Sequence, residues 1–98
     1  MRNIKISRKA ISDLDNIWEY TVKTWSEQQA DKYYKQLTVC IQSLSDLPEY
    51  MEREYDAVKP GLLGLHIGHH IIFYNKRKDG SIWIDRILHE TMDFNRHF

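Results

Sequence analysis

Disulfides are excluded first: the 98-residue chain holds a single cysteine, Cys40, and one thiol cannot build an internal framework. A reducing compartment suits such a chain. Long apolar runs are missing too. None approaches the ~20 residues needed to cross a bilayer, and no signal-peptide-like apolar stretch stands near the start. A cytoplasmic protein without membrane contact is therefore expected. Net charge is also absent, with 14 basic residues balancing 14 acidic ones. A balanced chain has no overall field to draw it to nucleic acid or anionic lipid, so any such binding must rest on a local patch. No internal repeat or low-complexity tract interrupts the sequence, which reads as one domain over residues 1–98.

What is present points to a folded domain. Hydrophobic residues make up 42 % and aromatic residues 12 %, more than a disordered chain carries. A domain of this size buries roughly 60–70 % of its unfolded surface, enough for one modest core. Charge is unevenly spread. Arg2, Lys5, Arg8 and Lys9 precede the first acid, Asp13, and Lys76, Arg77 and Lys78 sit together. Asp46, Glu49, Glu52, Glu54 and Asp56 form the opposite patch.

Local pattern divides the chain into elements. Asn3-Ile4-Lys5-Ile6 alternates, which predicts a short strand with both isoleucines on one face. Ser7 or a neighbour then opens a helix whose apolar face runs through Ala10, Leu14, Ile17, Trp18, Thr21 and Trp25. Ser26 with Gln29 is a capping-box pattern, and Glu27 places negative charge at the positive end of the second helix. Ala30, Tyr34, Leu37, Ile41 and Leu44 form its stripe until Pro48 stops it. With almost no linker, the two helices read as an antiparallel hairpin. Residues 48–61 form a polar loop with a short strand expected around Tyr55–Val58. Leu63–Ile67, His70–Tyr74 and Ser81–Leu88 then alternate as strands, with Asp79-Gly80 as a hairpin turn. The order βααβββ predicts a two-layer α+β domain: a short N-terminal strand, a helical hairpin and a three-stranded antiparallel meander.

Three stretches resemble ParE toxins of the RelE/ParE superfamily of type II toxin–antitoxin systems. They are Ala10 to Trp25, with its Ala-x-x-Asp-Leu-x-x-Ile-Trp-x-Tyr pattern; Pro60-Gly61-Leu62 through Gly68-His69-His70-Ile71-Ile72-Phe73-Tyr74; and Arg86-Ile87-Leu88-His89-Glu90-Thr91-Met92-Asp93. The resemblance implies the βααβββ fold and a toxin neutralised by a ParD-like antitoxin. It also implies a target in DNA gyrase, on its GyrA subunit, and contact with operator DNA only through the antitoxin. The RelE branch of the same fold instead cuts mRNA on the ribosome, and fold alone does not separate the two activities.

Residue chemistry favours the first. Cutting RNA needs a base, an acid and cations against the developing phosphate charge. The candidates are Arg86, His89, His97 and the Lys76–Lys78 cluster. In a regular strand, Arg86 and His89 point to opposite faces, and Arg86 is expected to pair with Asp85 or Asp93 while His89 positions the tail. RelE-type nucleases carry a richer basic sheet and a C-terminal tyrosine, whereas this chain ends Asn95-Arg96-His97-Phe98. His66, His69 and His70 read as a turn with exposed histidines rather than a metal site. Cys40 reads as a small buried hydrophobe. No catalytic residue, metal or cofactor is assigned.

The remaining expectation is a recognition surface. Arg86, His89, Met92, Asp93 and Phe94, on the last strand and tail, are the candidate target-binding residues. Trp83 and Ile87 lie on the strand face opposite Ile82 and Ile84, and either arrangement of the helices leaves an apolar sheet face for a partner to cover. Ile4, Arg8, Trp83 and Ile87 are the candidate antitoxin contacts. A helix laid in a groove and a strand added at a sheet edge are the two modes an antitoxin could use. A toxin-fold protein that only binds or regulates is the third reading.

Overall fold

In the computed structural model, which describes residues 3–98, a helical hairpin packs on one face of a five-stranded sheet. The elements are β1 (Ile4–Ile6), α1 (Arg8–Thr24), α2 (Glu27–Ser43), β2 (Arg53–Glu54), β3 (Leu63–Ile67), β4 (His70–Lys76) and β5 (Ile82–His89). Short 3-10 turns cover Leu44–Asp46, Glu49–Met51 and Phe94–His97. The sheet order is β1-β5-β4-β3-β2, with β1 parallel to β5 and the other pairs antiparallel. The predicted meander is therefore its centre. Arg2, part of the basic N-terminal cluster, lies outside the described residues; Lys5, Arg8 and Lys9 are exposed.

Both helices begin where serine allows. Ser7 Oγ accepts the Ala10 amide and Ser26 Oγ accepts the Gln29 amide, each at 3.0 Å. Each cap is worth about 1 kcal/mol over alanine. From those starts, Ala10 and Leu14 on α1 and Leu37, Ile41 and Leu44 on or just past α2 reach the core. They meet Leu65, Ile72, Tyr74, Ile82, Ile84 and Ile87 of the sheet. Burying each large side chain contributes about 2 kcal/mol.

The expected stripes were too broad. Trp25, the residue that caps α1, is 75 % exposed, and Tyr34 is also exposed. Trp18 is half-buried at the flank, where its indole N–H donates to Asp31 across the hairpin. At 100° per residue, Tyr33 rather than Tyr34 turns inward to pack on the core.

The other sheet face corrects a second expectation, because the chain covers it itself. Leu62, Ile71, Phe73 and Leu88 are buried there beneath Tyr55, Val58 and Phe94. The anticipated strand at Tyr55–Val58 is displaced to Arg53–Glu54, and residues 55–62 turn over the sheet instead. The tail closes the other side: Phe94 and Phe98 set their rings 4.9 Å and 5.3 Å from that of Phe73. Trp83 does lie away from the helices, as one alternative required, but it is half-buried with the Arg77 guanidinium 4.6 Å above its ring. Among the described residues, no apolar sheet face is left bare.

A bulge in β5 decides the site. Phe73 pairs with Arg86 while Tyr74 pairs with Ile84, so Asp85 is an extra residue. The inserted residue resets the alternation, and Ile87 joins Ile84 on the helix side rather than Trp83 on the far side.

Candidate functional site

Beyond the bulge, β5 runs alongside α1 with a groove of about 650 Å3 between them. Its α1 wall is the stripe Asp13, Asn16, Ile17 and Tyr20, spaced by three and four residues so that all four share one helix face. Ile87, Leu88 and His89 form the floor with His70 and Arg86, and Thr91, Met92 and His97 form the far rim. Arg86 and His89 both line this groove, although β5 alternates regularly between them, with Arg86 opposite Phe73 and His89 opposite His70.

Arg86 is committed within it. Its Nε and Nη2 donate to the two oxygens of Asp13, each at 2.8 Å. The partner is Asp13, not Asp85 or Asp93. Asp85 instead accepts from Asn75 and faces Lys59 at 3.7 Å, and Asp93 caps the C-terminal turn. Asp13 also accepts the Ile87 backbone N–H at 2.9 Å. These bonds to Asp13 hold the guanidinium pKa above its ordinary value.

The histidines divide by environment. His70 is half-buried and its Nδ1 lies 2.7 Å from the Tyr33 hydroxyl. Burial, with His89 and His69 nearby, lowers its pKa to about 4. The ring is neutral at pH 7 and shares one hydrogen bond with the phenol through Nδ1. His89 Nδ1 accepts the Thr91 amide at 3.2 Å and lies 2.8 Å from the Thr91 hydroxyl, an arrangement that shapes the start of the tail. His66 and His69 are exposed, as expected, but both engage Glu90, at 2.7 Å and 3.2 Å. Those contacts lower the Glu90 pKa. Among the described residues, no group of three or more His, Cys, Asp or Glu side chains is arranged to hold a metal ion.

The other candidates scatter. Met92 is exposed on the groove rim, whereas Asp93 is a cap and Phe94 packs on the far sheet face. Ile4 packs against the helix-side core, Arg8 is exposed in the first turn of α1, Trp83 lies on the far face and Ile87 is the groove floor. They do not form one surface. Lys76 is drawn to Glu52 at 2.7 Å, and Arg77 stacks on Trp83. Burial pushes the Cys40 thiol pKa up, the opposite of activation. Sequence reading missed Asn16, Ile17, Tyr20 and His70. The three- and four-residue spacing from Asp13 to Tyr20 marks a shared helix face, but nothing in sequence says that it faces β5.

A family model described as the ParE toxin of the type II toxin-antitoxin system parDE matches residues 4–94. The chain belongs to the ParE toxin family. The ParE family assignment is supported by Toxin ParE1 of Mycobacterium tuberculosis, 33 % identical over 92 residues that cover 94 % of this chain and 93 % of the relative. Toxin ParE1 of Caulobacter vibrioides is 31 % identical, covering 99 % of this chain and 98 % of its own. A solved chain of the chromosomal ParDE system from P. aeruginosa shares the ParE fold with a TM-score of 0.74 and 22 % identity. That match covers 91 % of this chain and 96 % of the other. No helix among the described residues is long and apolar enough to cross a membrane.

Proposed function

We propose that this ParE-family chain is a non-enzymatic inhibitor of DNA gyrase, acting at the GyrA subunit, and that a ParD-like antitoxin neutralises it in the cytoplasm. The observation that carries the reading is the state of Arg86. A phosphodiester-cutting site needs a cation free to meet developing charge, whereas this guanidinium has both oxygens of Asp13 as partners. His70, beside it, is a neutral ring bonded to Tyr33. What the groove presents outward is a recognition surface of Asn16, Tyr20, His89, Met92 and His97.

The antitoxin places an amphipathic helix in this groove, with apolar residues against Ile17, Tyr20 and Met92. An acidic segment of the antitoxin meets Lys5, Arg8 and Lys9.

Purified chain added to a gyrase assay is expected to stop supercoiling and accumulate cleaved DNA, with activity restored by antitoxin. Unchanged supercoiling at excess toxin rejects the gyrase reading. Cut transcripts in a translating extract, lost on His89→Ala, point to the ribosomal nuclease instead.

A further inference from the structure

A strand edge is a row of unpaired N–H and C=O groups, and any extended segment with a matching row will pair with it. In β5 that hazard begins where β1 ends. β1 pairs only with residues 82–84, and among the described residues no strand covers that edge from Asp85 to His89. The chain occupies the exposed row with other groups. Ser7 donates its amide to the Ile84 carbonyl at 3.0 Å and its hydroxyl to the Asp85 carbonyl at 2.7 Å. Asp13 then takes the Ile87 amide at 2.9 Å from the sixth residue of α1.

We propose that Asp13 is a specificity-determining residue of the groove. By occupying the Ile87 amide it closes the β5 edge to strand addition, above all by the β5 edge of a second copy of this chain, while leaving the groove side chains accessible. Arg86 holds the guard in place. Both oxygens of Asp13 accept from the guanidinium, so the carboxylate cannot swing off Ile87 without also breaking that fork. An incoming strand would have to displace three bonds to gain its first. An occupant whose backbone bonds are already satisfied, as in a helix, displaces none. The guard acts in the chain by itself and does not depend on what the partner is.

The test is the oligomeric state of the full chain by sedimentation velocity over a concentration series. Asp13→Ala is expected to self-associate, with a dimer dissociation constant lowered by about tenfold or more. Asp13→Asn, which keeps an acceptor oxygen for Ile87, is expected to remain as monomeric as the unaltered chain. Arg86→Ala, which keeps the carboxylate but frees it to swing, is expected to associate less than Asp13→Ala. A folded Asp13→Ala protein that stays monomeric overturns the proposal, and so does an Arg86→Ala protein that associates equally. If Asp13→Ala does not fold, amide exchange in the unaltered chain decides. Ile87 is expected to be protected like the amides paired between β4 and β5, and exchange at loop rates overturns the guard.

Discussion

Asp13 and Arg86, 73 residues apart, meet through two parallel bonds of 2.8 Å that tie the first helix to the last strand. Their side chains are only 11 % and 16 % exposed. Removing one partner therefore leaves the other charge poorly solvated, which costs more than the pair contributes over an apolar substitute. Arg86→Ala is expected to lower stability by about 3 kcal/mol in urea denaturation. Arg86→Lys should recover only part of that loss, because an ammonium group cannot fork across two oxygens. An Arg86→Ala protein as stable as the unaltered chain would show that the fork contributes nothing.

His70 sets a pH dependence with a definite sign. Its pKa falls from 6.5 to about 4 on folding, so between those values the unfolded chain binds the extra proton. The stability from keeping the ring neutral is complete above about pH 6.5 and is lost as pH falls towards 4. Denaturant midpoints measured from pH 7 to 4.5 should decline, and His70→Gln should flatten that decline. Glu90 adds a separate loss at lower pH, since its folded pKa lies below the ordinary value of 4.5. An equal slope with and without His70 would assign the effect elsewhere.

Two glycines separate backbone strain from crowding. Gly68 has φ +55, and an added Cβ would stand 2.8 Å from the Tyr33 ring and hydroxyl. Gly61 has φ +81 with nothing within 4 Å. Gly61→Ala should cost about 1 kcal/mol from the left-handed backbone alone. Gly68→Ala adds overpacking and should cost about 3 kcal/mol in total. Equal losses would mean that Tyr33 yields to the new methyl group.

The groove rim separates binding from folding. Tyr20 and Met92 are 67 % and 45 % exposed, so shortening them removes little from the core. Tyr20→Ala and Met92→Ala are each expected to weaken antitoxin binding by about tenfold or more, roughly 1.4 kcal/mol. Thermal unfolding of the free chain should move little. Antitoxin affinity unchanged by both substitutions places the antitoxin elsewhere.

Much of the fold was legible because it is written in short-range pattern. The serine caps at Ser7 and Ser26, the inward positions Ala10, Leu14, Leu37 and Ile41, and the Asp79-Gly80 hairpin each depend on residues within a turn or two. The strand at 53–54 was misplaced because a two-residue edge strand carries no period. The cover over the second sheet face was not foreseen either. Phe94 and Phe98 reach Phe73 only once the tail folds back, which no local pattern announces.

By itself the sequence determined the helices, the meander and the family, since caps, periodicity and turn residues act between near neighbours. Tertiary structure decided the site. One inserted residue, Asp85, turns Ile87 towards the helices, and Asp13 on α1 claims Arg86 and the Ile87 amide. A bulge forms only when β5 is paired against β4, and an ion pair across 73 residues has no local signature. Which side chains face the groove therefore became definite only when the sheet closed.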